Sequence, residues 1–360
     1  MQDTYPSDTD IQGFASLLGG GDTNALREEL MALFQRPAAA GALRALDQAG
    51  LLTRVIPELE PARSTTQPNV HFLPVLAHSL EAVCVVDWLL AELEYDEGPM
   101  TRDEAAAIAE ENRQPGFSPQ PSVRGPQLPV AVQTHPELRY RSAYADQLRR
   151  QFAERIGGYS RAALFKLAAL MHDVGKPATK QPKPGGGVSF HEHQTIGGEV
   201  ALEVARRLRL DQDAAQYIRL VVREHMRPGQ FAALNEVTPR AVARYFHATA
   251  GAGPDVLLHM LADHMATRGP RIDVVGWQAH AAWVDVLLDT IWGELPEITP
   301  PLLNGDELMR ALDLAPGPLV GRLLAAVSEA QAGGDITTPE EAIALARRTL
   351  ERLKVGSLEG

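Results

Sequence analysis

Apolar residues recur at steps of three and four along most of the chain, which is the spacing of amphipathic helices. Alternating patterns typical of strands are almost absent. The predicted helices cover residues 24–34, 42–52, 72–93, 194–208, 213–226, 239–248, 254–266, 274–292, 304–312, 319–332 and 339–354, with a further helix after Ser160. The sequence therefore predicts an all-α fold with no internal repeat.

Changes in composition divide this pattern into segments. Residues 1–22 are polar and glycine-rich, and we expect a mobile leader there. Residues 23–61 predict an N-terminal helical segment, 62–280 a central helical domain, and 281–360 a C-terminal helical segment. Within the central domain, about 95–159 turns acidic and then rich in proline and glycine. This stretch predicts a partly irregular insertion.

Overall composition restricts the class of protein. Of the 360 residues, 45% are hydrophobic, enough for a large core, and the net charge of -12 argues against non-specific nucleic-acid binding. Cys84 is the single cysteine, so the chain can form neither an internal disulfide nor a thiolate metal cage. No apolar run reaches membrane-spanning length, and the first residues lack a signal-peptide pattern. We expect a soluble, cytoplasmic protein; the sequence predicts no oligomeric state.

One predicted helix carries a His-Asp pair at its inner end. Ser160 is the predicted N-cap, His172 follows on the apolar face, and Gly175 ends the helix. Because adjacent residues on a helix point in different directions, Asp173 projects sideways from His172, which suits a carboxylate that bridges two cations. Taken alone, the pair has a second interpretation as a helix cap with a surface charge.

Other histidines and an aspartate lie on apolar helices elsewhere. These residues are His78, His193, His225 and Asp263. His225 and Asp263 both project from stripes that face the predicted core. Burying an unpaired carboxylate costs roughly several kcal/mol, so a bound metal explains Asp263. For His78 a structural role bonded to a backbone carbonyl stays an alternative. His191 competes with His193, although the spacing from His193 to Gly197 favours His193.

The donor types predict the metals. Four imidazoles and two carboxylates without a thiolate suit divalent transition metals, with Mn²⁺ and Fe²⁺ leading, ahead of Ni²⁺, Co²⁺, Zn²⁺ and Mg²⁺. Six ligands are too many for one catalytic ion that must keep an open position. The sequence therefore predicts two ions.

This order of residues resembles the HD superfamily of metal-dependent phosphohydrolases in its six-ligand form. The resemblance implies two metal sites that share Asp173. The first would be completed by His78, His172 and Asp263, and the second by His193 and His225. The segments MHDVGKPAT, HEHQTIGGEVALEVARRLRL and VVREHMRPG are also similar to the HD-containing body of the bacterial tRNA nucleotidyltransferase and poly(A) polymerase family. An HD-type helical core flanked by helical segments is the implied fold.

One part of that family's pattern is not found in the sequence. The nucleotidyltransferase head carries a glycine-rich strand turn and a metal-binding Asp pair, and we expect no counterpart here, because residues 1–22 are too few for a mixed sheet. Asp8 and Asp10 have the D-x-D spelling without strands around them. We therefore expect the body without the head.

Several cations near the pair are candidates for substrate binding. Lys176 would contact a substrate phosphate and act in catalysis, or else only complement a helix end. Arg223, Arg227 and Arg268 would line an anionic pocket, or else be solvated surface residues. His264 is expected to be structural or to support the metal ligands.

Together these features predict an enzyme, a two-metal phosphohydrolase of nucleotides or RNA ends. The resemblance implies phosphodiesterase or phosphatase action on 2′,3′-cyclic or 2′-phosphates, with a 3′-end nuclease as a variant. The alternative is a non-catalytic tRNA-binding or RNA-binding body that partners a separate nucleotidyltransferase. An iron-dependent oxygenase on the same scaffold is a third hypothesis. No membrane partner is expected.

Overall fold

The computed structural model describes residues 8–68, 70–95, 127–184, 186–232, 238–293, 301–315, 317–332 and 335–356. In chain order the helices are α1 (Asp8–Gly20), α2 (Thr23–Gln35), α3 (Ala39–Gln48), α4 (Leu52–Val55), α5 (Glu60–Arg63), α6 (Val75–Glu92), α7 (Val130–Thr134), α8 (Ala145–Ala153), α9 (Arg161–Met171), α10 (Lys176–Thr179), α11 (His193–Arg207), α12 (Gln212–Glu224), α13 (Arg227–Ala232), α14 (Pro239–Thr249), α15 (Gly253–Arg268), α16 (Val274–Trp292), α17 (Gly305–Leu312), α18 (Pro318–Ala332) and α19 (Pro339–Gly356). The prediction of an all-α fold is confirmed.

Strands are confined, within these described ranges, to two short antiparallel pairs. β1 (Arg155–Ile156) pairs with β2 (Tyr159–Ser160), and β3 (Lys180–Pro182) pairs with β4 (Val188–Phe190). In the same ranges no helix has both the length and the apolar character that a membrane crossing requires. Two compact units contain these elements, the first of residues Met1–Pro228 and Pro254–Leu288, the second of Gly229–Gly253 and Asp289–Gly360.

Helix α9 is the centre of the first unit. Ser160 caps it as predicted, since the Ser160 hydroxyl accepts a hydrogen bond from the Ala163 amide at 3.1 Å. Every residue of α9 is buried, and the helix packs against α2, α6 and α12. An apolar helix surrounded on all sides forces its last residue into the interior. For this reason His172, which directly follows α9, is fully buried.

A buried ion pair connects α9 to the helices around it. Asp255 of α15 is fully buried and accepts hydrogen bonds from Arg161 at 2.8 and 2.9 Å, from the Tyr217 hydroxyl at 2.6 Å and from the Gln151 amide at 2.5 Å. With both partners satisfied, the pair fixes the start of α15 against α8, α9 and α12. The position of Asp263, two turns further along α15, depends on that anchor.

The structure corrects the prediction of a mobile leader and describes part of the predicted insertion. Residues 8–20, predicted as a mobile leader, form helix α1, whose Phe14 is fully buried and which packs on α2. The predicted insertion at about 95–159 is described from residue 127 onward, where α7 and α8 contribute buried residues such as Val132 and Phe152. Residues 96–126 lie outside the described residues.

The second unit is a separate helical body with its own core. Helices α17, α18 and α19 pack on one another, and α18 also packs on α14. Asn304 and Glu307 form a capping box at the start of α17, as each side chain accepts the other residue's amide proton. The centre of the apolar cluster is formed by Leu308, Leu323, Ala342 and Ala346.

Candidate metal centre

All six predicted metal ligands converge in the first unit. Two groups of three donors form there, and within each group the donor atoms lie within 4.8 Å of one another. The first group is His78, His172 and Asp263, and the second is Asp173, His193 and His225. Five of these residues are buried and Asp263 is partly exposed, so the groups lie at the inner end of a depression.

Asp173 lies between the two groups with one carboxylate oxygen toward each. Its Oδ2 atom is 3.2 Å from His172 Nε2 and 3.6 Å from His78 Nε2. Its Oδ1 atom is 3.4 Å from His193 Nε2 and 4.0 Å from His225 Nε2. Asp263 Oδ1 completes the first group at 3.0 Å from His78 Nε2. The geometry is that of a carboxylate able to bridge two cations.

Backbone carbonyls set the tautomers of three imidazoles. His172, His193 and His225 each donate from Nδ1 to the carbonyl three residues earlier, at 2.8, 2.8 and 2.7 Å respectively. A carbonyl oxygen only accepts, so the proton of each neutral ring is on Nδ1 and the Nε2 lone pair points into the site. Each ring is oriented as a ligand before any ion binds.

Gly175 allows the segments that carry the ligands to meet. A Cβ on Gly175 would lie 2.2 Å from the carbonyl oxygen of His193 and 2.7 Å from the amide nitrogen of Gly197. Both neighbours are backbone atoms that cannot rotate away. The turn after the His-Asp pair therefore approaches the first turn of α11 only because residue 175 has no side chain. This contact brings His193 next to Asp173.

Burial and charge act differently on the two groups. Burial lowers the pKa of His225 to about 3 and also lowers the pKa of His193, so both rings are neutral at pH 7. Burial by itself would raise the pKa of Asp173, but His172 and Lys176 outweigh it and hold that pKa well below its ordinary value. The pKa of His172 is raised, because the effect of Asp173 exceeds that of burial.

The imidazole nitrogens of the site lie close to one another, and this closeness shows whether the residues fit metal ions. His193 Nε2 and His225 Nε2 are 3.3 Å apart, and His78 Nε2 and His172 Nε2 are 3.2 Å apart. In the first of these pairs both rings are neutral with Nδ1 protonated, so two lone pairs face each other. Such an arrangement is repulsive unless a cation lies between the nitrogens. The residues fit divalent metals that accept imidazole and carboxylate ligands.

The substrate candidates divide into two pairs. Lys176 and Arg268 line a cavity of about 500 Å³ that opens onto the centre. Lys176 is buried, with Nζ 2.6 Å from Asp173 Oδ2 and 2.6 Å from Gln67 Oε1. Arg223 and Arg227, by contrast, both form ion pairs with Glu224, and neither is among the residues that line this cavity.

Some histidines of the site were missed or interpreted differently in the sequence. His259 is fully buried one turn before Asp263, with its ring centroid 4.8 Å from that of His172, and within the described residues neither of its ring nitrogens has a hydrogen-bond partner. His71 lines the cavity and packs edge-on against His78 at 5.4 Å. His264 and His191 also line the cavity. The four-residue step from His259 to Asp263 was the signal that could have identified His259.

Comparison with known proteins gives two results. The family model described as HD domain matches residues 147–265, a range that contains every candidate ligand except His78. The chain is 31% identical over 328 residues to the A-adding tRNA nucleotidyltransferase of Deinococcus radiodurans, covering 91% of this chain and 58% of the relative. It is 31% identical over 318 residues to the CC-adding tRNA nucleotidyltransferase of Thermus thermophilus, covering 88% of this chain and 54% of the relative. The chain thus spans little more than half the length of these relatives.

Proposed function

Because the chain is an HD-domain protein homologous to tRNA nucleotidyltransferases over about 90% of its length, we propose that it is a metal-dependent phosphohydrolase acting on nucleotides or RNA ends. The observation that carries the proposal is the position of Asp173, with one oxygen toward each group of donors. A single buried ion needs no such division of a carboxylate. Two ions that share this carboxylate would need it, and phosphoester hydrolysis is one of the reactions that two-metal sites catalyse.

We assign the ligands from these contacts. His78, His172 and Asp263 would hold one ion, His193 and His225 the other, and Asp173 both. When bound, two Mn²⁺ or Fe²⁺ ions would supply charge neutralisation on the phosphoryl oxygens and a water molecule of lowered pKa. The protein's contribution is to lower the pKa of His193, His225 and Asp173, and to fix the orientation of the imidazoles, before the ions arrive.

The remaining polar groups of the site position the substrate. Lys176 is held between Asp173 and Gln67, so its ammonium group stays at the floor of the cavity, where a phosphate oxygen can accept from it. Asp173 faces the same cavity. Lys176 would thereby hold the phosphate of the substrate beside the metal ligands and stabilise the negative charge that develops on it during the reaction. Arg268 extends the positive charge toward the mouth of the cavity.

The test is hydrolysis by metal-loaded protein. Purified protein is stripped of metal, reloaded with Mn²⁺, Fe²⁺, Co²⁺, Ni²⁺, Zn²⁺ or Mg²⁺, and assayed on 2′,3′-cyclic nucleotides, nucleoside monophosphates and 3′-labelled RNA. We expect turnover with at least one ion, and loss of about 10³-fold or more in the double variant His172→Ala, Asp173→Ala. His247→Ala and Asp213→Ala, both exposed, serve as matched controls. Full activity in the double variant would end the proposal.

The homology also favours a second function, binding of tRNA without hydrolysis, since both relatives are named tRNA nucleotidyltransferases. The two functions separate in one titration. If the chain acts as a tRNA-binding body, labelled tRNA binds with a steep dependence on salt, and the double variant binds as tightly as the natural sequence. Binding that survives this substitution, in protein that hydrolyses none of the substrates, would favour the second function.

A further inference from the structure

The cavity above the candidate metal centre has a chemically distinct outer half. Its floor carries Asp173, Lys176 and His193, whereas its outer wall carries apolar side chains. Two of these, Val70 and Met226, are among the few large apolar residues that the described chain leaves exposed, at 37% and 41% of their surface. Apolar side chains exposed at the mouth of a pocket indicate a ligand that covers them. An inorganic phosphate bound at the floor of the cavity would leave these apolar side chains exposed.

A β-hairpin supplies another part of the cavity wall. Strands β3 and β4 pair Lys180 with Phe190, and Phe190 lines the cavity. The Phe190 carbonyl accepts the Nδ1 proton of His193 at 2.8 Å, and the Phe190 ring centroid lies 5.6 Å from Lys176 Nζ. An aromatic ring is therefore fixed beside the floor of the cavity. The hairpin is also fixed to the segment before Val70, because Lys180 Nζ donates to Thr66 Oγ1 at 3.0 Å.

Cations at the rim of the cavity have no carboxylate partner. Among the described residues, neither Lys183 nor Arg268 forms an ion pair, and both are exposed and line the cavity. Lys176, in contrast, already faces Asp173, and Arg223 and Arg227 face Glu224. Two unneutralised cations beside an apolar wall suit a ligand with a second anionic group outside the reacting phosphate.

We propose that Phe190, with Val70, Met226 and Met260, binds a nucleobase, and that Lys183 and Arg268 bind a second phosphate of the same nucleotide. The hairpin would thereby select a nucleotide with two phosphates, such as the end of an RNA chain, over a simple phosphate ester. This assignment depends on the proposed function in one respect only, namely which of the two phosphates is hydrolysed. A cavity of about 500 Å³ is within the range of small-molecule sites, which is roughly 300–1,000 Å³.

Equilibrium binding to EDTA-treated protein tests the base subsite without any need for hydrolysis. Adenosine 5′-monophosphate and ribose 5-phosphate differ only in the base, and we expect the protein to bind the first about 5- to 100-fold more tightly, the range of one stacked base. In Phe190→Ala, the affinities for the two ligands should differ by no more than about twofold. Phe190→Leu should leave the affinity for ribose 5-phosphate unchanged. Val286→Ala, which removes an apolar side chain that is 64% exposed and not part of the cavity, is the matched control.

The second phosphate is tested with adenosine 3′,5′-bisphosphate against adenosine 5′-monophosphate. Lys183→Ala and Arg268→Ala should each reduce the preference for the bisphosphate by about 10-fold, whereas Arg206→Ala, which removes an exposed cation of α11, should leave it unchanged. Equal binding of the monophosphate and ribose 5-phosphate by the natural sequence, or an unchanged ratio in Phe190→Ala, would overturn the base subsite. An unchanged preference in both cation variants would overturn the second phosphate site.

These outcomes are separable from failure of the proposed function. Protein that selects the base and the second phosphate but hydrolyses nothing with any metal would leave the subsite intact and end the phosphohydrolase proposal. Protein that hydrolyses nucleotides, but whose binding ratios are unaffected by Phe190→Ala, would support the phosphohydrolase proposal and end the proposal of a base subsite. Thermal unfolding of each variant separates loss of binding from loss of fold.

Discussion

Metal stoichiometry should depend on which aspartate is removed. Asp263 contacts only the first group of donors, whereas Asp173 presents one oxygen to each group. We therefore expect the natural protein to bind two ions, Asp263→Ala to retain one, and Asp173→Ala to retain none at the same free metal concentration. The two substitutions remove the same chemical group, so the number of ions that each variant retains reports how many ions that carboxylate serves.

The size of the effect follows from the number of ions that each aspartate would bind. Loss of a partner that only supports a metal ligand reduces metal affinity about 10- to 100-fold, so loss of a direct ligand costs at least about 100-fold, or about 2.8 kcal/mol. Asp263→Ala imposes that cost on one ion. Asp173→Ala imposes it on both, and it also leaves Lys176, which is 7% exposed, as a buried cation without its carboxylate.

Equilibrium dialysis at a free metal concentration about ten times the dissociation constant of the natural protein gives the needed contrast, since a 100-fold loss then lowers occupancy from about 90% to about 10%. Bound metal is counted by mass spectrometry of the dialysed protein. Asp213→Ala, an exposed aspartate on α12, is the control. Two ions retained by Asp173→Ala, or none by Asp263→Ala, would refute the bridging arrangement.

Three further predictions concern stability and packing. In EDTA, the free energy of unfolding should fall as the pH is lowered from 6.5 to 5, with a contribution from His225 that approaches about 1.4 kcal/mol per pH unit near pH 5. The reason is that the folded pKa of His225 is lowered to about 3, so that only the unfolded chain binds the extra proton. Urea titrations in which His225→Gln shows the same slope would contradict this. Asp255→Ala should lower the free energy of unfolding by about 3–5 kcal/mol, because Arg161 loses its buried carboxylate and Tyr217 and Gln151 lose the acceptor that they share with it. A loss below about 1 kcal/mol in urea would count against this prediction. Gly175→Ala should lower the free energy of unfolding by about 1–3 kcal/mol and weaken metal binding, whereas Gly13→Ala, with open space around it, should do neither. Urea titration measures the first effect and equilibrium dialysis the second. Unchanged metal affinity in Gly175→Ala would show that the close contact at Gly175 does not position the ligands.

The sequence predicted the elements whose cause is local. Apolar steps of three and four gave the helices, and Ser160 gave the start of α9. The convergence of the ligands rested on the resemblance, because periodicity shows only that His78 and Asp263 face a core. It does not show that they face the same point in that core. The structure brings them together at 3.0 Å.

Where prediction failed, the determining contacts were between segments distant in the chain. Residues 1–22 were interpreted from composition as a mobile leader, yet residues 8–20 form α1, whose Phe14 is fully buried. Glu81 of α6 accepts the Val130 amide at 2.6 Å and so fixes the start of α7, a contact across 49 positions that no local pattern contains. The hairpin that carries Phe190 was similarly hidden, because its strands are only three residues long.

Two of the candidate ligands, His172 and His225, are predictable because each directly follows the last residue of a helix. The last carbonyls of an α-helix have no partner within the helix. His172 and His225 are the residues that directly follow α9 and α12, and each donates its Nδ1 proton to such a carbonyl, of Ala169 and Val222. The same contact satisfies the helix end and fixes the tautomer that directs Nε2 toward the metal position. A histidine that ends a buried helix therefore becomes an oriented ligand through local geometry, and only the meeting of the two helix ends requires the whole fold.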